Sequence, residues 1–394
     1  MKRIMILAIV MATTVAQAGA GVTFDDVLEA VMKGNPEVAA AAASNQAEIE
    51  SMKAENMLEG PEIEGHHSWG NYGDRKYGAG ISQGFDWPGL YSARRGAIKA
   101  MTEAKTYLNR STVLDKTIEA KLLLIDLVQS RRTLDLMKRM LKSMTEMQST
   151  LDKSYENGEV SILDKNKLDI EVIRLTSKVN DAQIRYATLL TAVQNLAGET
   201  PVKEMARNLS DYPADTVLSE EEYERTIAEN DPMINYYRAM GDAASRQQDV
   251  ARMQGAPSFS LGYEWEREEG QNFNGITFGM KFSSWSTRHS RAAARLSKME
   301  NEVQLNATRL TRLADMRNEL ASVREFSSQV EAYSRILDRG DQEKLLRRAL
   351  EGGEIGMLTY LQEMNFFIEA RVDYEEACYE LSQAKARLNK ICRR

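Results

Sequence analysis

The stretch "GAPSFSLGYEWEREEGQNFNGITFGMKFSSW", Gly255 to Trp285, decides how the rest of this 394-residue chain is read. Phe259, Leu261, Tyr263 and Trp265 alternate with Ser258, Ser260, Glu264 and Glu266, the two-residue period of a strand with one apolar face. A turn is predicted over Glu268 to Asn272. Ile276, Phe278, Met280 and Phe282 then resume the apolar face opposite Thr277, Gly279, Lys281 and Ser283, which gives a hairpin with one greasy side. A lone hairpin is marginal at best in water, so this one needs a partner.

A weaker hairpin is predicted upstream. Ile63, Gly65, His67 and Trp69 share one side, followed after a Gly73-Asp74 turn by Tyr77, Ala79, Ile81, Phe85 and Trp87; His67 and Gln83 interrupt the apolar face. The Trp and Tyr residues sit toward segment ends, where a bilayer's aromatic girdle would lie.

The two hairpins belong to an internal duplication. "GNPEV" answers "ENDPM" with Pro36 and Pro232 offset by 196, "EGPEIEG" answers "GAPSFSLG" with Pro61 and Pro257 offset by 196, and "YENGEVSIL" answers "LEGGEIGML" with Gly158 and Gly353 offset by 195. Each copy reads as a helix, a hairpin, a very long helix, a tight turn and a returning helix. The resulting division is 19–199 (hairpin 61–87, helical hairpin 88–197), a connector 200–218 at the middle of a rod, and 219–394 (hairpin 257–285, helical hairpin 286–391).

Between Pro88 and Pro201 there is no proline, and none follows Pro257, so long uninterrupted helices are permitted. Leu134, Met137, Leu141, Met144 and Leu151 in one copy and Leu313, Met316, Leu320, Val323, Val330 and Leu337 in the other have heptad-like spacing, read as helix packing. Pro88 to Asn157 and Ser286 to Gly352 would each extend about 100 Å, and the return helices Val160 to Leu196 and Ile355 to Ile391 about 55 Å. Pro36 to Leu58 and Pro232 to Gln254 supply about 35 Å each, enough to stack short helices beside a long one.

Composition excludes several classes. With net charge −7 and 28% charged residues, no domain has the basic excess that nucleic acid requires. Lys2 and Arg3, the apolar run Ile4 to Val15 and the exit Ala16-Gln17-Ala18 predict a signal peptide over 1–18, with Ala20 as an alternative cut. No later stretch approaches the roughly 20 apolar residues of a spanning helix, so entry into a membrane would be by strands. Cys378 and Cys392 fall on one predicted helix, about 21 Å apart, too far to bridge within it. His66 and His67 are strand neighbours on opposite faces and cannot chelate one ion together within a chain; a lumenal ring of equivalent histidines is conceivable only in an oligomer. "Arg339-Gly340-Asp341" falls within a predicted helix and is read as accidental. No catalytic triad, zinc spacing or carboxylate pair is found, so neither enzyme chemistry nor a cofactor is expected.

Four strands, each near the nine to eleven residues that cross an outer membrane when tilted, leave two open edges that lipid does not tolerate. Closure by identical neighbours gives roughly eight strands from a dimer or twelve from a trimer. The expected fold is thus mostly α with a small β-barrel portion, Phe259, Leu261, Tyr263, Trp265, Ile276, Phe278, Met280 and Phe282 facing lipid.

The duplication, with a hairpin in each half and a Tyr-x-x-Gly-x-x-Ser turn at Tyr155, Gly158 and Ser161, resembles the TolC family of outer-membrane efflux channels across essentially the whole mature chain. That resemblance implies a homotrimer with a twelve-stranded barrel on an α-helical periplasmic tunnel, a periplasmic adaptor protein at the helical turns and an inner-membrane pump behind it. By position, Gly158, Glu159, Val160 and Ser161 form one docking tip and Gly353, Glu354 and Ile355 the other, although such glycines also serve any helical turn. Family members often narrow the pore near this end with acidic residues. Asp164 matches that pattern, as three lumenal carboxylates or simply a solvated helix residue; Thr359, its counterpart, does not. The second turn keeps the glycine but lacks the serine, and Ile355 stands where some relatives have arginine. The leading expectation is a passive exit duct without a cofactor. Its rival is a soluble periplasmic coiled-coil scaffold or adaptor whose hairpins pack on protein.

Overall fold

The computed structural model describes residues 22–71, 75–158, 160–282, 287–337 and 342–392. The predicted signal segment, the Gly73-Asp74 turn, Glu159, Ser283 and the Arg339-Gly340-Asp341 tripeptide lie outside them.

Two short helices open each half. Helix α1 (Phe24–Gly34) starts at a capping box in which Thr23 Oγ1 accepts from the Asp26 amide and the Asp26 carboxylate accepts from the Thr23 amide. Helix α2 (Pro36–Ala54) is capped by Asn35, with Pro36 at the first helical position. Strands β1 (Glu62–Trp69) and β2 (Arg75–Phe85) follow, then α3 (Pro88–Glu156), α4 (Ile162–Leu196) and the short α5 (Lys203–Arg207). Helix α6 (Glu220–Asn230) opens on the Ser219–Glu222 capping box, and α7 (Pro232–Met253) on Asp231 with Pro232 behind it. The caps therefore repeat at the offset that the prolines mark. Strands β3 (Ser258–Glu268) and β4 (Gln271–Lys281) and helices α8 (Thr287–Leu337), α9 (Gln342–Glu351) and α10 (Met357–Leu388) complete the chain.

Helix α3 has 69 residues, about 100 Å at 1.5 Å per residue, and is continuous. The corresponding stretch of the second half is described as α8 and α9, with 338–341 between them outside the described residues. Cys392 lies past α10, beyond a 3-10 turn (Asn389–Ile391), and both cysteines are free and half-buried.

Three apolar clusters hold the rod. Toward the glycine turns, Met137, Met140, Met144, Met147 and Leu151 of α3 pack with Leu168 of α4 and Tyr360, Leu361 and Met364 of α10, so the methionine stripe is core. At mid-length, Val27, Leu28 and Val31 of α1 meet Leu124 and Val128 of α3, Val193 of α4 and Val202, Ala206 and Leu209 of the connector. A third cluster joins Tyr223 and Ile227 of α6 to Met316, Leu320 and Val323 of α8. The connector is strapped to α3: Lys121 Nζ lies 2.7 Å from Asp215 Oδ1, and Arg131 donates to the carbonyls of Arg207 and Leu209 at 2.6 and 2.7 Å.

The four strands form one antiparallel sheet in the order β1-β2-β3-β4, at the Pro88 end of α3. Strands β2, β3 and β4 have 11 residues each, about 37 Å of strand, which tilted near 45° rises about 26 Å. The predicted turn over Glu268 to Asn272 is tighter than expected. Only Glu269 and Gly270 connect the strands, both with positive φ (48° and 84°), the hairpin geometry that follows strand twist.

Candidate functional site: a two-faced sheet and a pair of glycine turns

Register assembles the apolar face from all four strands. Ile63 pairs with Ile81, Ile81 with Tyr263 and Tyr263 with Ile276; one row along, Gln83, Leu261 and Phe278 align, and then Phe85, Phe259 and Met280. Among the described residues no element covers this face, and Ile276 and Phe278 remain 80% and 65% exposed. Phe282, expected on the same strand, lies just past the end of β4 and is also exposed. Near the helices, Phe259 contacts Phe85, Trp87 and Phe278 with ring centroids 6.0–6.2 Å apart. Near the other end, His67 stacks on Tyr77 at 4.5 Å and meets Trp69 at 5.4 Å. Aliphatic and aromatic residues between two aromatic bands are the profile of a strand set facing hydrocarbon. Gln83, which interrupts this face in sequence, donates to the carbonyls of Glu59 and Gly84 at 2.7 and 2.9 Å.

The opposite face is small and polar: Gly78, Gly80, Ser82 and Gly84 of β2, Ser258, Ser260, Gly262, Glu264 and Glu266 of β3, Thr277 and Gly279 of β4. Among the described residues, one grouping of metal-ligand type occurs, His66 with Glu264 and Glu266, on this face. Sequence reading missed it because its members stand almost 200 positions apart and meet only through strand pairing. No described helix is long and apolar enough to cross a membrane.

At the far end of α3 the chain reverses through Gly158, φ +76°, whose amide donates to the Tyr155 carbonyl at 2.9 Å. Ser161 caps α4: its Oγ accepts from the Asp164 amide and donates to Asp164 Oδ2 at 2.8 Å. That hydrogen bond, with Lys167 Nζ at 3.3 Å, holds the Asp164 carboxyl below the usual aspartate range. The second turn is a Schellman motif, with Gly353 at φ +73°, its amide on the Leu350 carbonyl and the Glu354 amide on the Ala349 carbonyl. Its helix cap is Gly356, without a side-chain bond, and Thr359 is exposed. The two turns lie at one end of one cluster, against which both Val160 and Ile355 pack.

Val160 and Ile355, expected at the tips, are half-buried in their own hairpins. Leu163 and Leu358, each five positions past the positive-φ glycine of its turn, are 67% and 50% exposed, and Ile162 is exposed beside the first. In sequence they read as ordinary helix residues; only the side of the helix they occupy distinguishes them.

No protein-family model matches the sequence, and no curated protein matches it in sequence. Solved structures do match the fold. The outer membrane protein VceC of Vibrio cholerae superposes with a TM-score of 0.72 at 14% identity, over 93% of this chain and 95% of that one. The outer membrane channel CmeC of Campylobacter jejuni gives 0.71 at 16% identity, over 96% and 90%. The open-state MtrE outer membrane channel of Neisseria gonorrhoeae gives 0.72 at 14% identity, over 93% and 88%. Coverage close to complete in both directions makes this a likeness of the whole architecture rather than of one helical hairpin. The chain has the fold of the TolC-family outer-membrane channels.

Proposed function

We propose that this chain is the subunit of an outer-membrane channel, a passive exit duct whose helices project into the periplasm. The observation that carries the reading is the uncovered apolar face of a four-stranded sheet whose two edge strands, β1 and β4, each have an outer edge left unpaired among the described residues. Unpaired backbone groups are not tolerated in hydrocarbon, so closure must come from further copies. Three copies give twelve strands, and the family likeness favours three over two.

The helices support association. Leu296, Val303 and Leu310 of α8 are exposed at heptad spacing, with Met299 alongside; Ile170 and Ile184 of α4 are exposed two heptads apart. These are seams for neighbouring copies. In this reading 1–18 is an export signal, the repeats are 19–199 and 219–394, and the connector 200–218 lies around the middle of the rod. Phe259, Leu261, Tyr263, Trp265, Ile276, Phe278, Met280 and Phe282 face lipid. Gly158, Glu159, Val160, Ser161, Gly353, Glu354 and Ile355 shape the two tips that meet a periplasmic adaptor, with Leu163 and Leu358 offered to its groove. Asp164 and Thr359 border the pore near that end. An inner-membrane pump supplies the energy, and the chain performs no chemistry on its cargo.

The test is cell fractionation with export measured in the same cells. Recovery of the chain from outer membranes, together with loss of export when it is deleted, supports the duct. Recovery as a soluble periplasmic protein supports a scaffold instead.

A further inference from the structure

His66, Gly78 and Glu266 form one row across β1, β2 and β3, because Gly78 pairs with both of the others. Two strand spacings, about 9.5 Å, separate the backbones of His66 and Glu266. The imidazole crosses that gap because Gly78 has no side chain: a Cβ there would stand 2.1 Å from His66 Cε1 and 2.5 Å from Nε2. Lying over bare backbone, the ring brings Nε2 to 3.2 Å from Glu266 Oε1 and Nδ1 to 4.0 Å from Glu264 Oε1. One donor atom from each of the three residues falls within 4.8 Å of the other two. Lys76 Nζ holds the second oxygen of Glu266 at 2.9 Å, which steadies the carboxylate and leaves Oε1 toward the imidazole. A cavity of about 80 Å³ lined by Glu64, His66, Glu264 and Thr277 opens beside the group.

We propose that His66, Glu264 and Glu266 form a divalent-cation site on the polar face of the sheet, with zinc as its best-suited occupant. One imidazole nitrogen and two carboxylate oxygens are a zinc donor set, whereas magnesium and calcium take oxygen alone. Donor atoms about 2.1 Å from zinc at tetrahedral angles stand about 3.4 Å apart, so rotation of the half-exposed Glu264 side chain closes the triangle. The cavity leaves the fourth position to water or to Glu64. All ligands come from one chain, so the site stands independently of the channel reading. Its failure would leave that reading untouched.

The experiment is calorimetric titration of the full-length, detergent-purified protein with Zn²⁺ alone near pH 7.5. The expected result is one Zn²⁺ per chain. His66→Ala and Glu266→Gln should each weaken binding about tenfold or more. Gly78→Val keeps every ligand but puts a branched side chain where the ring lies, and should weaken binding likewise. His67→Ala, on the opposite face, should bind as the unaltered protein does, which guards against a general loss of fold. Absence of stoichiometric binding, or binding that survives His66→Ala, would overturn the site and leave the group as side-chain contacts of His66 with two carboxylates.

Discussion

Leu163 and Leu358 occupy equivalent places on two turns that close one end of the same rod, each exposed and each five positions past a glycine held at positive φ. Being exposed, they add little to the packing of the chain itself. Leu163→Asp combined with Leu358→Asp should leave assembly and membrane recovery unchanged, since exposed substitutions cost within about 0.5 kcal/mol. Export should fall to that of a deletion strain. Undiminished export with the double variant would remove the tips from the docking account.

Ile276 and Thr277 are neighbours on β4 that point to opposite faces. An arginine facing hydrocarbon near the bilayer midplane costs about 2–4 kcal/mol, whereas one facing a lumen is solvated. Ile276→Arg should therefore deplete the protein from outer membranes, while Thr277→Arg should fractionate normally. Equal recovery of the two variants would contradict the assigned faces.

Gly353 completes a Schellman motif at φ +73°, where any Cβ is disfavoured by about 1–2 kcal/mol. A Cβ there meets no neighbouring atom, so the cost is conformational and not steric crowding. Gly353→Ala should lower the denaturant midpoint by the equivalent of about 1 kcal/mol.

The Ser161–Asp164 pair has no counterpart at the second turn, where Gly356 and Thr359 stand. The Ser161 hydrogen bond and the nearby Lys167 depress the Asp164 pKa in the folded chain. The contribution of this carboxylate is present above the unfolded value of about 3.9 and is lost as pH falls through the lower folded value. Ser161→Ala should move the Asp164 titration upward in an NMR experiment and cost about 1 kcal/mol of helix capping. An unmoved titration would show that Ser161 is not its cause.

Lys121 is 4% exposed and its ammonium rests on Asp215 of the connector. Removing one partner of a buried pair leaves an uncompensated charge, typically a loss of about 3–5 kcal/mol. Lys121→Ala should thus be the most destabilising of these substitutions by thermal unfolding, and its expected signature is early proteolysis between Val202 and Ser219.

The hairpins, the repeat and the length of α3 were legible because each is written locally: period-two alternation, landmark spacing, and 69 residues without an internal proline. Register was not written, since pairing of Ile81 with Tyr263 joins positions 182 apart and is fixed only when the sheet forms. For the same reason the cluster of His66 with Glu264 and Glu266 was invisible, although each residue was individually in view. How the connector is fastened was not legible because its anchors, Arg131, Arg132 and Lys121, lie on α3 and not beside it in sequence. At the tips the glycines were legible from the turn they imply, but the half-burial of Val160 and Ile355 depends on packing against distant methionines.

The central claim is that the edges of one four-stranded sheet are closed by identical copies in the outer membrane. The measurement that tests it most directly is the mass of the protein extracted in detergent from separated outer membranes, corrected for bound detergent. The account predicts three chains per particle. A soluble single chain recovered from the periplasm would contradict it.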